Sequence, residues 1–169
     1  MSKSGLLEVT IDEDIHLHFP KVDTSPVKVT SEMKEIFGDA IEVAFMTEDL
    51  KHLVLVLQDQ QNVAHISFDR NKFSQLAKHG VTVTAKSYDN DIDYVLRYFA
   101  PNYGIDEDPV TGSAHTRIAD FWSNKLKKVN LVAKQLSDRQ GLMSISVEDE
   151  FIKISGTASL YLKGKLRIN

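Results

Sequence analysis

Apolar residues recur at every second position through most of this chain, the period of a strand with one covered face. Leu7-Glu8-Val9-Thr10-Ile11 alternates, Asp12-Glu13-Asp14 turns, and Ile15-His16-Leu17-His18-Phe19 alternates again until Pro20. That pattern predicts a hairpin with one buried face. The stretch from Val22 to Val29 carries Pro26 and reads as a connection. Further strands are predicted over 41–46, 53–57, 81–85, 92–99, 129–133, 143–147, 151–154 and 158–162. Residues 53–57 are apolar without interruption, which suits a strand covered on both faces.

Three segments carry helical signals instead. Thr30-Ser31-Glu32 opens a short helix running to Phe37, with Gly38 as its C-terminal stop. Asp69 caps a second, with Phe73, Leu76 and Ala77 on its inner side and Gly80 ending it. In the third, Ala114, Ile118, Phe121, Trp122 and Leu126 form an apolar stripe, while Arg117, Asp120 and Asn124 share the other side. Lys125, Lys127 and Lys128 complement the negative end of its dipole. About ten strands and three helices make an α+β fold.

Composition narrows the function. A chain of 169 residues, 42% apolar, suits one domain and is short for two. No linker, repeat or low-complexity tract divides residues 1–169. Twenty-four acidic against twenty basic residues give a net charge of -4, which argues against a nucleic-acid partner held by a basic face. No apolar run approaches the ~18 residues of a membrane-spanning helix, and Met1-Ser2-Lys3-Ser4-Gly5 opens no signal-peptide core. A cytoplasmic protein without a membrane partner is expected. The absence of cysteine excludes disulfides, thiolate catalysis and cysteine-ligated metal.

The histidines suggest little chemistry. His16 and His18 share one strand face, yet no third ligand has a spacing that completes a metal site. His52, His65 and His79 fall near element ends, where surface positions are expected. Residues 97–115 differ. Asp106-Glu107-Asp108 precedes Pro109, and Thr111-Gly112-Ser113 leads directly into the third helix. A helix N-terminus presents unpaired amides and partial positive charge, so this one is a seat for a carboxylate or phosphate. Gly112 lets a ligand approach the backbone, Thr111 and Ser113 add hydroxyls, and the three acids are candidate general acids or bases. The competing interpretation is an acidic loop before an ordinary capped helix. One glycine and no lysine make this neither a Walker nor a dinucleotide loop, and the acids lack a metal-ligand spacing.

The run from Arg97 through Phe99, Pro101, Gly104-Ile105 and Glu107-Asp108-Pro109-Val110-Thr111-Gly112-Ser113-Ala114-His115 resembles the signature of the phenazine-biosynthesis PhzF-like family, relatives of diaminopimelate epimerase. Ser4-Gly5, His18-Phe19-Pro20, Ala133-Lys134-Gln135-Leu136-Ser137 with Arg139 and Gly141, and Ile154-Ser155-Gly156-Thr157-Ala158 to Gly164 resemble other family passages. The likeness covers essentially the whole chain. It departs after His115, where Thr116-Arg117-Ile118-Ala119-Asp120-Phe121-Trp122 is more polar than the family's continuation.

The resemblance implies a curved mixed sheet or barrel of about eight to ten strands around a central helix from Ser113 to Lys125, with two short helices beside it. It implies one lobe, the second, of a two-lobed cofactor-independent isomerase whose cleft lies between two facing helix N-termini. Gly112 and Ser113 would hold a substrate carboxylate, Asp108 would support the acid–base apparatus, Thr111 would shape the loop, and Arg139 would approach the same cleft. The family's catalytic Glu, its Glu-Thr-Ala-Phe passage and its Cys-Gly-His-Ala-Thr passage are absent from this chain. Two functions therefore remain in view. One is an isomerase completed by a second copy or a separate N-terminal-lobe chain, with residues 158–168 pairing across subunits. The other is a catalytically silent lobe that still binds small carboxylates.

Overall fold

A computed structural model describes residues 7–165 and residue 167. The Ser4-Gly5 passage and Ile168 lie outside the described residues. The strands are β1 (Glu8–Ile11), β2 (Ile15–Pro20), β3 (Thr24–Val27), β4 (Ile41–Thr47), β5 (His52–Leu57), β6 (Gly80–Lys86), β7 (Tyr94–Phe99), β8 (Asn130–Gln135), β9 (Gly141–Val147) and β10 (Phe151–Gly156). The helices are α1 (Ser31–Phe37), α2 (Gln60–Ala64), α3 (Arg70–Leu76) and α4 (His115–Leu126).

All ten strands join one mixed sheet in the order β1-β2-β10-β9-β8-β7-β6-β5-β4-β3. The β5/β6 and β7/β8 pairs are parallel and the rest antiparallel. Each parallel pair needs a crossover. The first carries α2 and α3, and the second carries α4. These crossovers cover opposite faces. Val54, Val56, Tyr94 and Leu96 pack in the core that holds α4, whereas Leu53, Leu55, Leu57, Val81 and Val83 pack with Phe73 of α3. Double coverage is why residues 53–57 are apolar without interruption.

The sheet curls nearly into a barrel. Only residues 21–23 join β2 to β3, although these strands stand second from one edge and at the opposite edge. Four backbone steps span at most about 14 Å, so the two regions must approach each other. The link crosses α4: Val22 N–H donates to Thr116 O at 3.1 Å, and Lys21 N–H donates to Glu150 O at 3.1 Å. Inside, Trp122 is fully buried, stacks on Tyr94 at 5.6 Å and donates its indole N–H to Thr84 Oγ1 at 3.0 Å. The fold is α+β, a ten-stranded curved sheet around one central helix.

Several local readings need correction. The stretch containing Pro26 is the edge strand β3, where the missing proline N–H costs no interior ladder bond. A third short helix, α2, opens at Asp59, whose side chain accepts from Asn62 N–H. The expected central helix starts as a 3-10 turn over Gly112–Ala114 before α4 proper. The first hairpin does not bury a continuous face: every residue of β1 is exposed, and only Leu17 and Phe19 of β2 reach the core. Residues 157–165 form no regular structure, so the strand expected over 158–162 is not formed, and Leu160, Tyr161 and Leu162 are exposed. None of the described helices is long and apolar enough to cross a membrane.

Candidate active site at the start of the central helix

The loop between β7 and α4 is held by side chains that complete helix ends. Arg97, on β7, meets Glu107 through two bonds of 2.7 Å, Nε to Oε1 and Nη2 to Oε2. Its Nη1 also donates to Ala64 O and Ile66 O at 3.2 Å, satisfying carbonyls at the end of α2. Asn102 Nδ2 donates to Ser74 O and Ala77 O at the end of α3, at 3.0 and 3.1 Å. Arg70 pairs with Asp106 at 2.5 Å and donates to Pro101 O. Two of the three signature acids are thus engaged by guanidinium groups, Glu107 through both of its oxygens and Asp106 through one.

Asp108 is held differently. Its amide donates to Tyr98 O at 3.0 Å, and its Oδ2 accepts from Thr111 Oγ1 at 2.7 Å. Buried Gln135, at the end of β8, closes the loop from the other side. Its Oε1 accepts from Thr111 N–H at 2.7 Å, and its Nε2 donates to Asp108 O. Ser137 Oγ donates to Pro109 O at 2.7 Å. Gln135 and Ser137, singled out in sequence only within the passage resembling the family, brace the loop of the candidate site. They lie 24 and 28 positions from their partners, Thr111 and Pro109.

This clamp fixes the chain just before Gly112. Thr111 is buried with its amide already bonded, so the next amides, those of Gly112 and Ser113, open the helical run. They precede any intrahelical acceptor and carry the positive end of the α4 dipole. Gly112 and Arg139 line one cleft of about 460 Å³, with apolar walls from Ile15, Leu17, Val110, Met143 and Ile154. Gly141 keeps this wall close, since a Cβ there would lie 2.6 Å from Val110 Cγ2. Asp108, Thr111 and Ser113 are not among the residues lining that cleft. Ser113 is exposed, and its carbonyl accepts from Thr116 Oγ1 at 2.8 Å and Arg117 Nη1 at 3.1 Å.

Behind the opening turn, His115 is fully buried and its Nδ1 lies 2.7 Å from Tyr94 Oη. Burial holds its pKa down at about 3, so the ring is neutral at ordinary pH, and burial also raises the Tyr94 phenol well above its usual range. This pair is part of the core rather than an acid–base couple open to substrate. The arrangement leaves a polar, dipole-assisted end and an apolar wall, suited to a small molecule with a carboxylate at one end. Among the described residues no group of three or more acids or histidines is placed to hold a metal ion.

Comparison with known proteins agrees with this architecture. The sequence profile of the PhzC-PhzF family, described as phenazine biosynthesis-like protein, matches residues 3–164. The chain is 36% identical over 168 residues to an uncharacterized isomerase of Pseudomonas aeruginosa, covering 99% of this chain and 63% of that protein. It is 34% identical over 183 residues to a phenazine biosynthesis-like domain-containing protein of Bos taurus, covering 98% and 64% respectively. The crystal structure of a PhzF-family phenazine biosynthesis protein from Enterococcus faecalis superposes with a TM-score of 0.86 at 34% identity, over 98% of this chain and 63% of that one. A putative PhzC/PhzF protein from Clostridium difficile gives 0.81 at 31% identity, over 96% and 61%. The chain spans a little under two thirds of the length of these relatives, and it belongs to the phenazine biosynthesis-like (PhzC-PhzF) family.

Proposed function

We propose that this chain provides the carboxylate-binding lobe of a cofactor-independent isomerase that moves a proton between positions of a small carboxylate-bearing molecule. The observation that carries the reading is the shared cleft of Gly112 and Arg139 at the start of α4. A carboxylate seated there meets Gly112 at the positive end of the α4 dipole and Arg139 across the cleft, with the Ser113 amide next in the chain just outside the lining. The dipole alone contributes about 0.3–1 kcal/mol at an exposed end and up to about 2 in a partly buried one. The apolar wall takes the carbon skeleton.

In the reaction a carbon acid gives its proton to a base, the resulting anion rests against the α4 amides, and a proton returns at another carbon. Asp108 serves as a positioning group through Thr111. Asp106 and Glu107 pair with Arg70 and Arg97, and neither lines the cleft. The base therefore comes from outside this lobe, either from a second copy or from a separate lobe. Exposed Leu160, Tyr161 and Leu162 give the surface for such an association. The same engagement of the acids favours a second reading, a catalytically silent lobe that binds small carboxylates.

Sedimentation at micromolar concentration and proton exchange into a carboxylate substrate in D2O test the two. The enzyme reading expects a dimer and time-dependent loss of a carbon-bound proton signal. A strict monomer that exchanges no carbon-bound proton overturns the self-completed enzyme and leaves the binding lobe.

A further inference from the structure

Arg117 stands in the first turn of α4, where its guanidinium has no carboxylate within ion-pair distance among the described residues. Its Nη1 donates to Ser113 O at 3.1 Å, and its Nη2 lies 3.4 Å from His52 Nε2. Its Nε is buried with no partner, as is His52 Nδ1. With His52 Nε2 accepting from Arg117, the proton of a neutral His52 sits on Nδ1, so both orphaned atoms are N–H donors. Two buried, unpaired donors, one on a permanent cation, are costly and call for an acceptor of opposite charge.

Both side chains line a pocket of about 410 Å³ that also touches Lys21, Thr47 and three carboxylates, Asp23, Glu48 and Asp49. No residue lines both this pocket and the Gly112–Arg139 cleft. Asp49 is already engaged, accepting from Thr47 Oγ1 at 2.7 Å and pairing with Lys51 at 2.8 Å. Lys21 pairs with Asp120 at 2.9 Å. Arg117 and His52 are thus the unsatisfied donors, and exposed Asp23, Glu48 and Asp49 surround them. An acidic surround disfavours a doubly charged anion and tolerates a singly charged one.

We propose that the pocket over Arg117 and His52 is a second carboxylate-binding site that takes a small monoanionic carboxylate. The ligand's oxygens accept from the guanidinium, whose planar fork matches a carboxylate. His52 reports on occupancy. Burial and then the neighbouring Arg117 charge hold its pKa at about 4, with His79 and Lys51 acting in the same direction and Asp49 against them. An anion on Arg117 offsets that charge, so occupancy raises the His52 pKa. The proposal does not depend on the function assigned to the α4 opening.

The test is a titration of the 15N-labelled chain with sodium acetate, with inorganic phosphate and chloride at matched ionic strength as comparison arms. The Arg117 Nε–H and the His52 ring resonances are followed. A saturable shift with acetate, weaker with phosphate and accompanied by a higher His52 titration midpoint, is expected. Arg117→Met loses the shift while Arg139→Gln keeps it. Because removing an unpaired buried charge relieves a cost, Arg117→Met should be at least as stable as the parent, and Arg117→Gln repeats the binding comparison with a polar side chain. Shifts that fail to saturate, that chloride reproduces, or that survive in both Arg117 variants overturn the proposal.

Discussion

Arg97 and Glu107 face each other through two parallel bonds of 2.7 Å, with 12% and 20% of their side chains exposed. The same guanidinium reaches the terminal carbonyls of α2. This acid-rich passage is therefore largely architectural at this point. It ties a crossover on one face of the sheet to the loop that positions the helix on the other face. Removing Arg97 leaves a half-buried carboxylate and free helix-end carbonyls. Arg97→Ala should lower stability by about 3 kcal/mol, the usual consequence of stripping one partner from a poorly solvated pair. Urea denaturation checks this.

Glu107→Gln separates structure from catalysis. It keeps the shape and loses the charge, so stability should fall by about 1–2 kcal/mol. Carboxylate affinity at Gly112 should be unchanged. A loss of affinity with undiminished stability, seen by titration and urea denaturation, would mean that Glu107 acts on the ligand.

Gly141 and Val110 meet across the wall of the cleft. A methyl at position 141 would press on a β-branched side chain that cannot bend away, with Cγ2 at 2.6 Å and Cγ1 at 3.0 Å. Gly141→Ala should cost about 1–3 kcal/mol by overpacking and shift the Gly112 amide resonance. Adding Val110→Ala should restore part of both, because residues in contact are not additive. Thermal melts and amide spectra of the single and double variants measure the coupling.

His115 and His52 make stability depend on pH. Burial lowers both folded values, to about 3 and about 4, against 6.5 for the free imidazole. The unfolded chain then binds more protons than the folded one between those values and pH 6.5. Their contribution is complete above pH 6.5 and is lost as pH falls towards 4 and then 3, with a slope of about 1.4 kcal/mol per pH unit for each proton. His115→Leu should flatten the lower part of this dependence in denaturation curves recorded across that range.

The physics that made some of this legible in sequence is local. Thr30 and Gly38 bracket α1, and Asp69 caps α3, because caps act within one turn. The unbroken apolar run of β5 reported two covered faces. What stayed hidden depends on partners distant in sequence. No pattern near Glu107 says that Arg97 occupies it, and nothing near Thr111 points to Gln135. β3 was masked by Pro26, which an edge strand tolerates. Residues 158–162 show the reverse: strand-like alternation in a segment that forms no strand. His52 sits near an element end, as expected, yet its Nδ1 is buried and its Nε2 lies 3.4 Å from Arg117, on a helix 65 positions away.

The start of α4 is proposed to seat a carboxylate, and the amide resonances of Gly112 and Ser113 test this most directly. The chain is titrated with a small hydroxy- or amino-aromatic carboxylate, and in parallel with the matching primary amide. A saturable shift of both resonances with the carboxylate, weakened in Arg139→Gln and missing with the amide analogue, is the predicted result. Unmoved Gly112 and Ser113 resonances at millimolar carboxylate would contradict the account.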